Sequence, residues 1–281
     1  NGAECEPYLT CDHRLMLEKS EEIMVGITII MKALGVKKAF IGIENNKPDA
    51  IKQLTSLTQK YSNIEVVPLK KKYPQGAEKQ LIKAITGREV PSGKLPIEVG
   101  CVVQNVATAK AIYDAVQKNK PLIERVVTIT GPNLSNPSNF LTRIGVPINH
   151  LIELAGGLPE DTAKIISGGP MMGKALPNTD IPLTKGMGGI LLLPEKLSKR
   201  IEPYPCIRCG RCAHACPMGL EPFYLEKLII KERWEEAEKH WIMDCMECGS
   251  CQYTCPAKRP LLDYIRLGKN KVSAIIRSRK N

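Results

Sequence analysis

Residues 206–217, CIRCGRCAHACP, recur as residues 245–256, CMECGSCQYTCP. Both read Cys-x2-Cys-x2-Cys-x3-Cys-Pro. Two residues between thiols let the chain turn back onto one face of a metal cube, so three close cysteines wrap one corner of a [4Fe–4S] cluster. The fourth thiol lies too far along to close its own cube, and in two-cluster proteins it ligates the other one. The spacing assigns one cluster to Cys206, Cys209, Cys212 and Cys255, and a second to Cys245, Cys248, Cys251 and Cys216. Zinc motifs usually pair two Cys-x2-Cys units across a long gap, and disulfide frameworks belong to small secreted chains. Neither suits thiol triplets followed by Cys-Pro in a chain of 281 residues. Ligand thiolates must also stay reduced, which sets the compartment.

Outward from these runs, Glu221 to His240 is helix-forming, with Glu232, Glu235 and Glu236 among bases. A helical connector implies an α-helical cluster domain. Arg208, Arg211 and His214 lie among the ligands and either tune the potential or face solvent. Glu195 to Pro205 reads as a polar linker. After Pro260, LLDYIRLGKNKVSAIIRSRK is a basic amphipathic tail, suited either to a membrane surface or to packing on the cluster domain.

The preceding chain alternates helix and strand. Residues 1–14, NGAECEPYLTCDHR, read as a loop. A helix is expected from Ser20, as N-cap, to a stop at Gly35. Lys38 to Ile43 reads as a strand, Pro48 to Lys60 as a helix and Ile64 to Pro68 as a strand, at the spacing of a parallel β-α-β unit. Gln75 to Thr86 reads as a helix, Ile97 to Val103 as a strand, and 105–118 as a helix capped by Asn105. From Arg125, RVVTITG, a short helix over 147–155, Ile165 to Ser167 and Gly189 to Leu193 suggest a small α+β unit. Met171 and Met172 in GGPMMG read as core filler. Cys5, Cys11 and Cys101 lack partner spacing and read as free or buried thiols.

Three segments resemble the flavin-binding, NADH-oxidising subunit of respiratory complex I: NGAECEPYLTCDHR, YPQGAEKQLIKAITGREVP and CVVQNVATAKAI. The resemblance implies an FMN and nicotinamide site. It places Asn1 and Glu4 on the flavin and nicotinamide side, Glu78 at a flavin-site acid, and Asn105 and Thr108 at the FMN phosphate or ribityl chain. Free N–H groups at the start of the Asn105 helix would suit a phosphate. Ala3 and Ala77 stand where that family carries Asp and Glu, which alters the expected nicotinamide contacts. The chain opens on Asn without Met, and the family's glycine-rich FMN loop is expected upstream of it. The small α+β unit resembles the β-grasp insert of the same subunit.

The whole sequence resembles the C subunit of the Rnf electron transport complex, most specifically in its second cysteine run and the PAKRPLLDYIRLGK tail. The resemblance implies a multidomain α/β plus α+β chain: a Rossmann-like flavin domain, N-terminally incomplete, over 1–122; an SLBB-like β-grasp domain over 123–196; and a helical two-cluster ferredoxin domain over 197–281. It implies a peripheral oxidoreductase subunit on the cytoplasmic face of the membrane, exchanging electrons between NAD(H) and FMN and two [4Fe–4S] clusters. Its partners would be other Rnf subunits, NAD(H) and, indirectly, ferredoxin. A flavin-dependent cobalamin reductase of the same architecture is one alternative. A pure electron-transfer module without its own substrate site is another.

The bulk numbers agree. The formal charge is +11, and 43% of residues are hydrophobic but only 5% aromatic. Two clusters at roughly −2 each would cut the charge to about +7. Such a surface favours acidic partners or an anionic membrane face. Scattered bases without interleaved aromatics argue against nucleic acid. No apolar run is long enough to span a membrane.

Overall fold

The computed structural model describes residues 1–279 and divides into two compact units. The first comprises Asn1–Val90 and Leu95–Lys199; the second takes up Pro91–Lys94 and the chain from Arg200 onward.

The first unit opens with α1 (Cys11–Glu18) and α2 (Ser20–Leu34), then β1 (Ala39–Glu44), α3 (Pro48–Leu57), β2 (Ile64–Leu69), α4 (Glu78–Thr86) and α5 (Val106–Lys118). β1 and β2 pair in parallel, Ala39 opposite Ile64 through Glu44 opposite Leu69, as the β-α-β spacing requires. Met16, Ile23, Met24, Ile41, Ile43 and Leu54 form the centre of the core here, each fully buried. α2 and α5 cross with their backbones in contact. A Cβ built on Gly26 would sit 1.9 Å from the carbonyl oxygen of Ala109. Gly26→Ala is therefore expected to force two backbones apart and to destabilise this unit by about 1–3 kcal/mol, the usual range for overpacking. A lowered urea midpoint would show it.

Three sequence expectations fail in this region. Residues 11–14 are helical, because Glu4 supplies the cap that the local sequence lacks. Ser20 is not an N-cap: Lys19 precedes the helix, and the Ser20 hydroxyl donates to the carbonyl of Met16 at 2.6 Å. Ile97 to Val103 is not a strand. Pro96–Val99 forms one 3-10 turn, closed by Gly100 at φ +66, and the rest runs as coil. A proline at the turn's start and a left-handed glycine at its end punctuate what read as an apolar run.

The unit continues with β3 (Glu124–Thr130), β4 (Ser138–Arg143), α6 (Ile148–Leu154), β5 (Thr162–Ser167), β6 (Lys174–Leu176), β7 (Gly189–Pro194) and α7 (Glu195–Ser198). Five strands form one sheet in the order β4-β3-β7-β5-β6, with β3 and β7 parallel and the other pairs antiparallel. Ile148, Leu151 and Ile152 of α6 share one core with Val127, Ile129, Ile190 and Leu192 of the sheet. Met171 and Met172 are not core: Met171 is half-buried and Met172 is 41% exposed. Their backbone N–H groups donate to the Glu6 carboxylate at 3.1 and 2.7 Å. Gly169 is required beside them, since a Cβ there would lie 2.3 Å from Glu6 Oε2.

The second unit contains α8 (Arg211–His214), α9 (Pro222–Ile230), α10 (Trp234–Lys239), α11 (Ser250–Tyr253) and α12 (Leu261–Ser278). The connector is two helices rather than one, broken at Glu232, whose φ is +54. The tail packs rather than lying free. Leu261, Leu262, Ile265, Gly268 and Val272 are buried, several of them in one core with Leu225, Leu228 and Ile229 of α9. Lys280, at the end of the expected basic tail, lies outside the described residues.

Candidate functional site

The two cysteine runs fold alike. In each, the residue before the second Cys is left-handed, Arg208 at φ +57 and Glu247 at φ +61. In each, a left-handed glycine follows that Cys, Gly210 or Gly249, and opens a one-turn helix, α8 or α11, carrying the third Cys. After each Cys-Pro the chain turns left-handed again, at Gly219 and at Lys258. These reversals bring the thiols inward, which is what the two-residue spacing is for.

The grouping is crossed. Cys206, Cys209, Cys212 and Cys255 line one cavity. Cys216, Cys245, Cys248 and Cys251 line another, floored by Leu220, Leu262 and Ile265. None of the eight is in a disulfide. The thiols disturb one another in the same sets. Burial and then the neighbouring Cys245, Cys248 and Cys216 push Cys251 up to about 12, and burial raises Cys245 and Cys212, with smaller contributions from Cys216 and Cys255 respectively. Four thiols converging without a cation resist ionising; iron at the centre reverses that, because a coordinating thiol is deprotonated outright. The donor set fits two [4Fe–4S] clusters.

Charged side chains flank both cavities, and the sequence reading missed several of them. Glu226 is 1% exposed and receives Arg259 bidentately, at 2.9 Å to each oxygen. Lys269 Nζ donates to the carbonyl of Cys245 at 2.6 Å and to Glu247 at 2.8 Å, while Arg266 holds the other Glu247 oxygen at 3.0 Å. Lys269 and Arg266 sit within the tail segment, at i, i+3 on the face of α12 turned to Glu247. Their one sequence signal was that helical spacing.

In the first unit a polar network ties three expected flavin-side residues together. Glu4 caps α1, its oxygens accepting from the N–H of Asp12 at 2.7 Å and of His13 at 3.1 Å. Asn105 caps α5 as expected, accepting from the N–H of Ala107 at 2.7 Å, and its amide donates to Asp12 at 2.7 Å. Asn1 donates to the carbonyl of Gly76 at 2.9 Å, and its carbonyl accepts from Val106 N–H at 3.0 Å. Lys47, 5% exposed, donates to the carbonyl of Ala3. Thr108 follows in the first turn of α5, half-buried. Glu78 stands exposed at the start of α4, and none of these bonds reaches it. Asp12 and Lys47 went unnoticed in the sequence, although Asp12 lies within the quoted CDHR.

The free N–H groups expected at the start of α5 are absent. Val106 N–H is taken by Asn1, Ala107 by the Asn105 side chain, and Thr108 by the Asn105 carbonyl. With those donors taken, the start of α5 offers no phosphate cradle.

Glu4 and Asp12 are both acids held above the usual carboxylate range, each chiefly by burial. Burial first, and the Asp12 charge second, raise the Glu4 carboxyl from 4.5 to about 7, against the pull of its two N–H donors. A carboxyl raised by folding binds more protons in the native state than in the unfolded chain. Its contribution is present in full below about pH 4.5 and lost as pH rises through about 7. The urea midpoint of the first unit should fall over that window, and Glu4→Gln should flatten the fall.

Three family models match in succession: the Nuo51 FMN-binding domain over residues 1–114, the SLBB domain over 126–175 and the 4Fe-4S dicluster domain over 198–256. The C subunit of the proton-translocating ferredoxin:NAD(+) oxidoreductase complex of Clostridium ljungdahlii is 54% identical across 96% of this chain and 59% of its own length. The chain is a homologue of the C subunits of the ion-translocating ferredoxin:NAD(+) oxidoreductases. Its counterpart in the Na(+)-translocating complex of Acetobacterium woodii is 50% identical across 98% of the chain and 62% of its own length. That of the ion-translocating oxidoreductase complex of Rhodobacter capsulatus is 48% identical, over 97% and 53%. The chain thus spans between about half and three fifths of these relatives.

The fold recurs in an NAD+-reducing [NiFe]-hydrogenase in its H2-reduced state, at a TM-score of 0.67 and 17% identity, across 94% of this chain and 55% of that one. FMN and two [4Fe–4S] clusters are the cofactors of the matched domains. The relatives, as C subunits, belong to complexes with other subunits. Among the described residues, no helix is long and apolar enough to cross a membrane.

Proposed function

We propose that this chain is the electron-carrying part of an oxidoreductase subunit that exchanges electrons with NAD(H) through FMN and passes them singly, by two [4Fe–4S] clusters, to membrane-embedded partners. The reading rests above all on the two crossed sets of four thiols. A bound flavin would convert two-electron to one-electron transfer. The protein's own contribution is placement: left-handed turns aim the thiols, buried apolar side chains keep water from the second set, and Lys269, Arg266 and Arg259 set the local charge.

In this reading the chain works as three domains, 1–122, 123–196 and 197–281. Asn1, Glu4 and Asn105 shape the flavin and nicotinamide side, and Thr108 and Glu78 complete it, while the phosphate is held by groups other than the α5 N–H donors. NAD(H) and, indirectly, ferredoxin are the redox partners, nucleic acid is not, and the subunit works at the cytoplasmic face of the membrane. Low-temperature EPR of anaerobically reconstituted, dithionite-reduced protein, with an iron count, tests the reading. Two interacting S = 1/2 cubanes are expected; zinc or internal disulfides at the eight cysteines would refute it.

A further inference from the structure

The two cysteine loops share a backbone but not an environment. From Ile207 to Arg211 every residue of the first loop is exposed, the ligand Cys209 included. The equivalent residues of the second loop, Met246 to Ser250, are buried or half-buried. A cluster held by four thiolates is negative, and reduction adds one more negative charge. Burial raises the cost of that charge, because little water is left to solvate it. By its pocket alone, the second set would be the harder of the two to reduce.

The charges beside the two sets differ in the sense that offsets this. Near Cys206 of the first set, the Arg259 guanidinium is matched by Glu226, at 2.9 Å to each oxygen. Arg208, Arg211 and Lys227 are exposed there, and water screens them. Beside the second set two cations share one carboxylate: Arg266 and Lys269 hold Glu247 at 3.0 and 2.8 Å. One positive charge is in excess within that triad. Lys269 is the cation turned to a ligand, donating to the Cys245 carbonyl at 2.6 Å with its side chain 19% exposed. The same clamp holds Glu247 where its backbone N–H donates to Cys245 Sγ at 3.4 Å. Burial resists ionisation of the Cys245 thiol, and both the Glu247 N–H and the Lys269 charge oppose that resistance.

We propose that Lys269 is the positioning residue that offsets the burial of the second cluster: its ammonium, held on the Cys245 carbonyl and Glu247, raises that cluster's potential so that both clusters accept electrons over one range. This deepens the electron-transfer reading above and rests on it. Net charge and hydrogen bonds to the sulfurs are what a protein uses to move a cubane's potential. With the offset in place, an electron passes between the two sets without being stranded on the exposed one. Reduction adds one electron to a cluster and no proton.

The test uses the full chain loaded with iron and sulfide, titrated with dithionite in the presence of redox mediators and followed by EPR. In the native chain the two signals should grow together, and their magnetic interaction with them. Lys269→Met should disfavour reduction of one cluster by about tenfold or more, ~59 mV or more for one electron. At intermediate potentials its signal should then be simple, with the interaction appearing late. The midpoint that moves should be the one retained by Cys255→Ala. Lys269→Arg should restore the native titration. Glu247→Gln, which removes the adjacent negative charge and keeps the shape, should move the same midpoint upward. Opposite shifts at two touching residues report charge, whereas loosened packing would move both the same way. Arg208→Met, at an exposed cation of the first loop, should leave both midpoints in place. Shifts of one sign in Lys269→Met and Glu247→Gln, no shift in either, or an equal shift in Arg208→Met would overturn the role. If Lys269→Met fails to hold iron, the direction of the Glu247→Gln shift decides alone. A protein with no cubanes removes the electron-transfer reading and this role together; two cubanes that ignore both substitutions remove only the role.

Discussion

Cys255→Ala is expected to lose the cluster of the first run and keep that of the second, and Cys216→Ala to do the reverse. Each variant should fall from about eight irons per chain to about four. Under uncrossed ligation, Cys255→Ala would instead damage the cluster of its own run. The crossed outcome follows from which thiols share a cavity: Cys255 joins Cys206, Cys209 and Cys212, while Cys216 joins the second run. EPR separates the two variants further. Magnetic interaction between cubanes should vanish in both, leaving one simple signal. The surviving signal in Cys255→Ala should come from the more sheltered site and respond less to small hydrophilic quenchers.

Arg259→Met is expected to destabilise the second unit by about 3 kcal/mol or more, because it strands Glu226 in the core with no partner. The pair is bidentate and the Glu226 side chain is nearly inaccessible, so water cannot replace the lost guanidinium. The double variant Glu226→Leu/Arg259→Met should recover most of the loss. Replacing a buried ion pair by apolar groups is often neutral, whereas breaking one is not. Urea midpoints of the single and double variants decide it. A large loss that persists in the double variant would place the role of Arg259 elsewhere, for instance at the cavity of Cys206 that it also lines.

Legibility followed the range of the interaction. The cysteine runs were readable because ligand spacing is local chemistry: a two-residue gap and a following proline dictate turns regardless of surroundings. The β-α-β unit and the α5 cap were readable for the same reason, through period and a single side chain. Contacts beyond immediate sequence neighbours were not. Nothing near Thr10 announces that α1 begins at Cys11, because its cap comes from Glu4. Nothing in GGPMMG announces that its two N–H groups are held by Glu6, so the methionines looked like core. β4 and β6 were missed because Ser138–Arg143 is mostly polar and Lys174–Leu176 is three residues long; both are strands only because a neighbour supplies the ladder. The expected phosphate-binding start of α5 failed in a related way. Period and cap were right, but Asn1 arrives from elsewhere in the fold and takes the first donor.

The exchange of fourth thiols between the two runs has a consequence for durability. A cut at Glu232, exposed and left-handed between α9 and α10, would part the chain between the two runs. Such a nick would not release the pieces, since each would still grip metal anchored in the other. The cofactors would act as rivets, and a cleaved molecule would come apart only when its iron was stripped.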